Sequence, residues 1–314
     1  SVTICGWQRQ AMRILVTGGA GFVGSHLVDR LVGEGHSVVI VDNLSTGKRE
    51  NLNPGARFEE LDIQSSDLLH IFEDQEPEVV FHLAAQIDVR RSVEDPLFDA
   101  RTNILGTISL LECCRKTGVR KVVFASSGGV IYGNTERPAK EEDPPRPLSP
   151  YGVAKLACEG YLRSYSEWHS LSYVALRYAN IYGPRQDPFG EAGVVAIFSK
   201  KLLKGEEPTL YGFGKLIRDY VYVDDAVRAA VLSVEKGEDE VINIGTGTGT
   251  SVNELFDQLK EIAGFEAKPS FKPKRAGELE KNILNSALAK EVLGWTPRVR
   301  LGEGLKRSVE WFKR

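Results

Sequence analysis

Thiols and imidazoles are scarce in this chain, with four cysteines and five histidines among 314 residues. Cys5, Cys113, Cys114 and Cys158 have neither zinc-site nor disulfide-framework spacing, and no two histidines are spaced as metal ligands. No metal is expected, and free thiols fit a reducing cytoplasm. Apolar runs long enough to cross a bilayer are also lacking. So is any excess of one charge: 40 Lys and Arg against 43 Asp and Glu leave a net charge of −3. Neither nucleic acid nor an anionic membrane is expected as a partner. Methionine occurs once, at Met12, just before an apolar run. Met12 is the expected natural start, and SVTICGWQRQA (residues 1–11) an upstream extension without the pattern of a signal peptide.

What is present is alternation. Apolar, β-branched runs at 14–18, 37–42, 78–84, 121–127, 173–178 and 240–245 read as strands. Helical patterns lie between them, near 22–34, 65–75, 97–117, 150–168, 192–204, 224–236 and 252–263. Strands that read as continuous apolar runs are buried on both faces, as in a parallel sheet. The expected fold is α/β, a doubly wound parallel sheet with a smaller C-terminal lobe. After about residue 180 glycine and proline become more frequent. Residues 12–178 are therefore expected to form mainly the sheet domain, and 179–314 a lobe interleaved with it. NTERPAKEEDPPRPLSP (134–150) carries five prolines and a charge cluster, so it is expected as a loop.

TGGAGFVG (17–24) follows the first strand and opens the first helix. Gly18 and Gly21 leave the backbone bare for a diphosphate, and Gly24 allows the helix to pack close to the sheet. Asp42 ends the second strand, where a carboxylate binds the adenosine ribose and repels a 2′-phosphate, favouring NAD over NADP. Lys48 and Arg49 could argue the reverse but lie beyond the strand end, where solvation is expected. Asp62 could contact adenine or cap a helix.

In SPYGVAK (149–155), Ser149 is a fitting N-cap, Pro150 the first helical residue, and Tyr151 and Lys155 share a face four residues apart. A phenol with a reference pKa of about 10 becomes a usable base when a cation stands beside it. The loop before the helix is expected to help close the site.

TGGAGFVG, HLAAQ (82–86) and YGVAK (151–155) together resemble the extended short-chain dehydrogenase/reductase family, from Met12 to the C-terminus. ASSGGVIYG (125–133), LRYANIYGPRQDP (176–188), RDYVYVDD (218–225) and KRAGELE (274–280) are similar to its nucleotide-sugar epimerase branch, of the UDP-glucose 4-epimerase type. The resemblance implies a Rossmann sheet, NAD as cofactor and a UDP-sugar as substrate. It implies inversion at C4 of a UDP-hexose through a 4-keto sugar. Tyr151 would be general base and acid, Lys155 its partner on the nicotinamide ribose, and Ser127 a hydrogen-bonding group for the sugar hydroxyl. It also implies a cofactor site of Gly18, Gly21, Phe22, Val23, Asp42, Asn43, Asp62, Ile63, Leu83, Ala84, Ala85, Gln86, Asn103, Ser126, Tyr151, Lys155 and Tyr178. The substrate site would comprise Ser127, Tyr151, Asn180, Val194, Tyr211, Arg218, Arg275 and Glu278, the two arginines on the diphosphate.

Related dehydratases place an acidic pair after the catalytic Ser or Thr. Here Gly128 and Gly129 stand there, and elimination of water loses its acid and base. By the resemblance Asn282 falls near a position where a bulkier Tyr can exclude an N-acetyl group, which implies UDP-N-acetylglucosamine as a second substrate. Arg90 and Arg91 could serve a uronate, as in UDP-glucuronate 4-epimerases or decarboxylases. A non-catalytic NAD-sensing regulator would be expected to lack the Tyr–Lys pair or the Ser. A homodimer is implied through the helices near 97–117 and 150–168, with Leu105, Ile108, Leu111 and Leu156 facing either the partner or the core.

Overall fold

The computed structural model describes residues 11–189, 193–266, 268–275 and 277–314. Cys5 and all but the last residue of the expected extension lie outside them. The chain runs β1 (Arg13–Thr17), α1 (Phe22–Gly33), β2 (Ser37–Asp42), β3 (Arg57–Glu60), α2 (Leu68–Gln75), β4 (Val79–His82), α3 (Val89–Glu94), α4 (Pro96–Ala100), a π-helical turn (Arg101–Leu105) and α5 (Gly106–Thr117). It continues with β5 (Lys121–Ser127), α6 (Gly128–Ile131), α7 (Pro150–His169), β6 (Ser172–Tyr178), β7 (Asn180–Tyr182), α8 (Val194–Leu203), β8 (Thr209–Tyr211), β9 (Ile217–Tyr222), α9 (Val223–Leu232) and β10 (Glu240–Ile244). Then come β11 (Gly249–Ser251), α10 (Val252–Ala263), β12 (Ser270–Lys272), β13 (Lys281–Asn282) and α11 (Leu301–Phe312).

The six apolar runs, joined by β3, become a seven-stranded parallel sheet of order β10-β6-β5-β4-β1-β2-β3. Alternate strand residues enter different cores. Ile14, Val16 and Phe81 pack toward α1 and α9, while Leu15, Val80 and Phe124 pack toward α2, α5 and α7. Burial of both faces explains why these strands read as unbroken apolar runs. Strand order reverses between β1 and β4, so a crevice opens at their carboxyl ends, where open α/β sheets bind ligands.

The later chain builds a second, smaller sheet on β9, flanked by β11 and β13 and also paired with β7. β8 and β12 form a separate parallel pair. Between these pieces the chain returns to the large sheet as β10 on β6. Several elements lie outside the expected pattern, β3, α11 and a turn within 97–117 among them. β3 reads RFEE and has no fully buried residue, so no apolar run marks it. α11 buries only Gly304, Leu305, Ser308 and Val309. The helix expected over 97–117 is interrupted by the π-helical turn, whose one buried residue is Asn103.

Candidate active site

The glycine loop is shaped by close approach. Gly18 has φ +70°, and a Cβ there would stand 2.7 Å from the Ala84 amide nitrogen on the loop after β4. A Cβ on Gly24 would strike the Gly18 carbonyl. Only bare backbone lets α1 start this close to the ends of β1 and β4. Gly21 caps α1 with no side-chain hydrogen bond, which leaves the first-turn N–H groups, Phe22 and Val23 among them, for a ligand. Asp42 lies beside this loop, its Oδ2 accepting from the Ala20 amide (3.0 Å) and its Oδ1 from that of Leu44 (2.8 Å). Burial pushes its carboxyl up, against those two N–H donors. Asn43 donates to Asp62 (2.7 Å), which also accepts from the Gln64 amide and does not cap α2. Lys48 and Arg49 are exposed, and Arg49 pairs with Glu60. A bare loop, an open helix start and a carboxylate at the next strand end fit a dinucleotide diphosphate and its ribose.

A hydrogen-bonded chain runs beneath this crevice. Thr17 Oγ1 accepts from the Leu83 and Ala84 amides, both at 3.2 Å, so its proton goes to His82 Nδ1 (2.8 Å). His82 Nε2–H then donates to Thr107 Oγ1 (3.0 Å), and Thr107 to the Asn103 carbonyl (2.6 Å). Burial first, and the Lys155 charge second, push His82 down to about 3, so the ring is neutral. The π-helical turn aims the Asn103 amide inward. It donates to the Gln86 carbonyl and to Asp99, each at 2.9 Å, and accepts from the Gln86 amide at 2.8 Å. Leu83, Ala84 and Ala85 are half-buried between these anchors, and Ile63 packs on Gly106.

Ser149 caps α7 by accepting from the Gly152 amide (3.2 Å), with Pro150 in the first turn. Tyr151, Lys155 and Glu159 follow at four-residue spacing and are all buried. Lys155 is 3% exposed, with its ammonium donating to the Ala125 carbonyl (2.8 Å). That ammonium lies 4.6 Å from the Phe124 ring centre and 5.8 Å from that of Tyr151. Desolvation lowers its pKa to about 8, while Cys158, Asp99 and Glu159 act to raise it.

Ser127 ends β5 beside the short α6 turn. A Cβ on Gly129 would sit 3.4 Å from Asn180 Oδ1 and 3.7 Å from Ser127 Oγ, so these two side chains converge over that glycine. The Gly128 side is closed, because a Cβ there would meet Leu284 at 2.6 Å. The Ser126 hydroxyl turns the other way and donates to Glu159 (2.5 Å), so it is committed within the core. Tyr178 is likewise committed, its hydroxyl donating to the Ala226 carbonyl (3.3 Å). Asn282 is 2% exposed and donates to the Gly128 (3.2 Å) and Gly133 (3.1 Å) carbonyls, so it acts as a strut behind the turn.

Four of the residues predicted for the substrate, Tyr211, Arg218, Arg275 and Glu278, lie together. The Arg275 guanidinium lies 3.6 Å from the Tyr211 ring centre, and its hydrogen bond lowers the Tyr211 pKa. Glu278 accepts from the Arg275 amide (2.7 Å) and bears electrostatically on Arg218. Arg218 is held by the Ile217 (2.9 Å) and Leu279 (2.7 Å) carbonyls, and burial lowers its pKa. Val194 is half-buried and opens α8. Arg90 and Arg91 stand apart on α3, both exposed, with Arg91 stacked on Phe98 at 4.1 Å.

Sequence reasoning missed the pair nearest the centre. Arg177 forks onto Glu159 (Nε–Oε1 2.9 Å, Nη2–Oε2 2.7 Å) with both side chains buried. Glu159 continues the Tyr151–Lys155 spacing, and Arg177 is a charge inside an otherwise apolar strand. Those were the available signals. Among the described residues no group of three or more His, Cys, Asp or Glu could hold a metal ion.

The NAD dependent epimerase/dehydratase family model matches residues 14–245. The chain is 48% identical over 309 residues to a UDP-glucose 4-epimerase of Mycolicibacterium smegmatis, covering 96% of this chain and 99% of that one. Its fold is similar to the Thermotoga maritima UDP-glucose 4-epimerase solved with UDP-glucose (TM-score 0.95, 55% identity, 96% and 99% of the two chains). It is similar also to the Thermus thermophilus UDP-glucose 4-epimerase solved with NAD (TM-score 0.92, 45% identity, 96% and 99%). Glycine loop, Tyr–Lys helix and full-length likeness agree: the chain belongs to the NAD dependent epimerase/dehydratase family.

Proposed function

We propose that this chain is an NAD-dependent isomerase that inverts C4 of a UDP-hexose, interconverting UDP-galactose and UDP-glucose. One observation carries the proposal: a buried ammonium next to Tyr151, in a site where Ser127 and Asn180 converge and no carboxylate replaces Gly128 or Gly129. When bound, NAD supplies the carrier that accepts the C4 hydride and returns it to the other face of the 4-keto sugar. Tyr151 takes the 4-hydroxyl proton and gives it back. The Lys155 charge favours the phenolate, and Ser127 orients the hydroxyl. Without a carboxylate pair beside Ser127, removal of water lacks the additional acid and base it needs, which disfavours elimination relative to inversion. Arg218 and Arg275 grip the diphosphate, with Tyr211 and Glu278 holding Arg275 in place. Phe22, Val23, Asp42, Gln86 and Asn103 line the cofactor's path.

The lobe from 179 to 314 carries the sugar nucleotide and 12–178 mainly the cofactor. The enzyme acts in the cytoplasm, where Cys113, Cys114 and Cys158 stay as thiols; no helix among the described residues is long and apolar enough to cross a membrane. It works as a homodimer through α4, the π-helical turn and α7. Leu97 (67% exposed), Leu105 (53%), Val153 (51%) and Trp168 (80%) support that face. Leu111, by contrast, is fully buried in the core and offers nothing to a partner. Incubation with UDP-galactose and no added cofactor, followed by proton NMR of the anomeric signals, should show UDP-glucose rising to a fixed ratio. No change, even with NAD added, would overturn the proposal. Tyr151→Phe should fold and retain NAD but lose roughly 10²–10⁴-fold in turnover.

A further inference from the structure

The Glu159–Arg177 pair lies where α7, β5 and β6 meet. Glu159 is on α7, two turns beyond Tyr151 and one beyond Lys155. It receives both arms of Arg177 from β6 and the Ser126 hydroxyl from β5. Ser126 and Arg177 are register partners, so the pair also clamps β5 to β6 across the sheet, one residue before Ser127. Burial alone would lower the Arg177 pKa, but its hydrogen bonds to Glu159 more than reverse this, so the buried charges neutralise each other. The third guanidinium nitrogen donates to the Tyr132 hydroxyl (2.7 Å), 5.0 Å from whose ring centre the guanidinium carbon lies. Tyr132 donates to Asn243 Oδ1 on β10 (2.8 Å). Asn243 completes the run by donating its side-chain amide to the Ala139 carbonyl (3.0 Å) and its backbone amide to Glu141 (2.8 Å). Ala139 and Glu141 belong to the proline-rich loop that delivers the chain onto Tyr151.

We infer that the Glu159–Arg177 pair is a positioning device: through Ser126, Tyr132 and Asn243 it fixes the Ser127 end of β5, the Tyr151 end of α7 and the loop joining them relative to one another. A buried ion pair contributes little net stability compared with apolar packing. What this one supplies is a fork of fixed geometry, with one carboxylate oxygen of the helix shared by Ser126 of β5 and Arg177 of β6. None of its members touches the sugar in this scheme; each acts through Ser127 or Tyr151. The inference rests on the proposed epimerase reaction.

Two variants cut the device without leaving a buried charge unpaired. Ser126→Ala frees β5 from the pair, and Tyr132→Phe frees the loop. In the NAD-loaded enzyme each should lower kcat on UDP-galactose by about tenfold, with KM within twofold and bound NAD unchanged. Amide hydrogen exchange should quicken over 125–133 in the first and over 134–151 in the second. If both variants keep kcat within twofold and exchange as wild type does, the pair is only structural and the inference fails. A raised KM with unchanged kcat, or loss of NAD, would also overturn it, since either would mean a binding role. If Tyr132→Phe does not fold, Ser126→Ala decides, because both Arg177–Glu159 bonds survive in it. If wild type does not turn over UDP-galactose, the reaction proposal falls, and exchange alone judges the positioning role.

Discussion

Lys155 shows at the scale of one residue how the site departs from what stability would select. Its ammonium is buried, with a pKa lowered to about 8 by desolvation. Below pH 8 both folded and unfolded chains hold the proton, and the folded state bears the full cost of the buried charge. Between pH 8 and the ordinary lysine value the unfolded chain binds more protons, so this group's contribution makes stability rise with pH. Lys155→Met should therefore raise unfolding free energy at pH 7 by about 1–3 kcal/mol, since one pKa unit is about 1.4 kcal/mol and a hydrogen bond to Ala125 is lost. The gain should disappear above pH 10.5, and turnover should collapse at every pH. Urea unfolding at pH 7 and pH 11 checks both signs. Spacing puts Tyr151 and Lys155 on one helix face, as α7 does, but only the company of TGGAGFVG and HLAAQ singles the pair out. Glu159 shares that spacing but reads as an ordinary surface acid until Arg177 is found across the sheet, and such a pairing is invisible in a linear pattern.

At the scale of elements, the strands buried on both faces announce themselves, and β3 does not because Phe58 is its one apolar side chain and packs on the core only partly buried. The π-helical turn is equally silent: one extra residue per turn leaves no compositional mark, yet it aims Asn103 at Gln86 and Asp99. The two glycines after Ser127 were legible as missing acids, but their unequal surroundings were not. Gly129→Asp meets only ordinary contacts and should fold, with epimerase activity reduced by the new charge between Ser127 and Asn180. Gly128→Asp must displace Leu284 and should cost at least about 1–3 kcal/mol from overpacking alone. Thermal unfolding of the two variants tests the difference. Asn282 makes the same point: its size was readable, but its commitment to the Gly128 and Gly133 carbonyls was not. Replacing it with Tyr would disturb the turn before it narrowed any pocket, so substrate breadth is better tested by offering wild type UDP-N-acetylgalactosamine.

At the scale of the whole molecule, the exposed apolar side chains of α4 and α7 flank a groove of about 440 Å³ lined by Pro96, Ala100, Ile104, Leu148 and Val153. Leu97→Asp combined with Val153→Asp should convert a dimer to monomers in light scattering, with thermal stability of the separated chain little changed because both residues are already exposed. A single dominant mass in wild type and variant alike would remove the proposed interface. The route of the chain has a different consequence. β6 is left as an outer strand until residues 240–244 arrive to pair with it, after the chain has already passed through β7, β8 and β9. During synthesis residues through 244 must therefore leave the ribosome before the large sheet is complete, and a nascent chain halted near residue 180 would present an open, aggregation-prone strand edge to its surroundings.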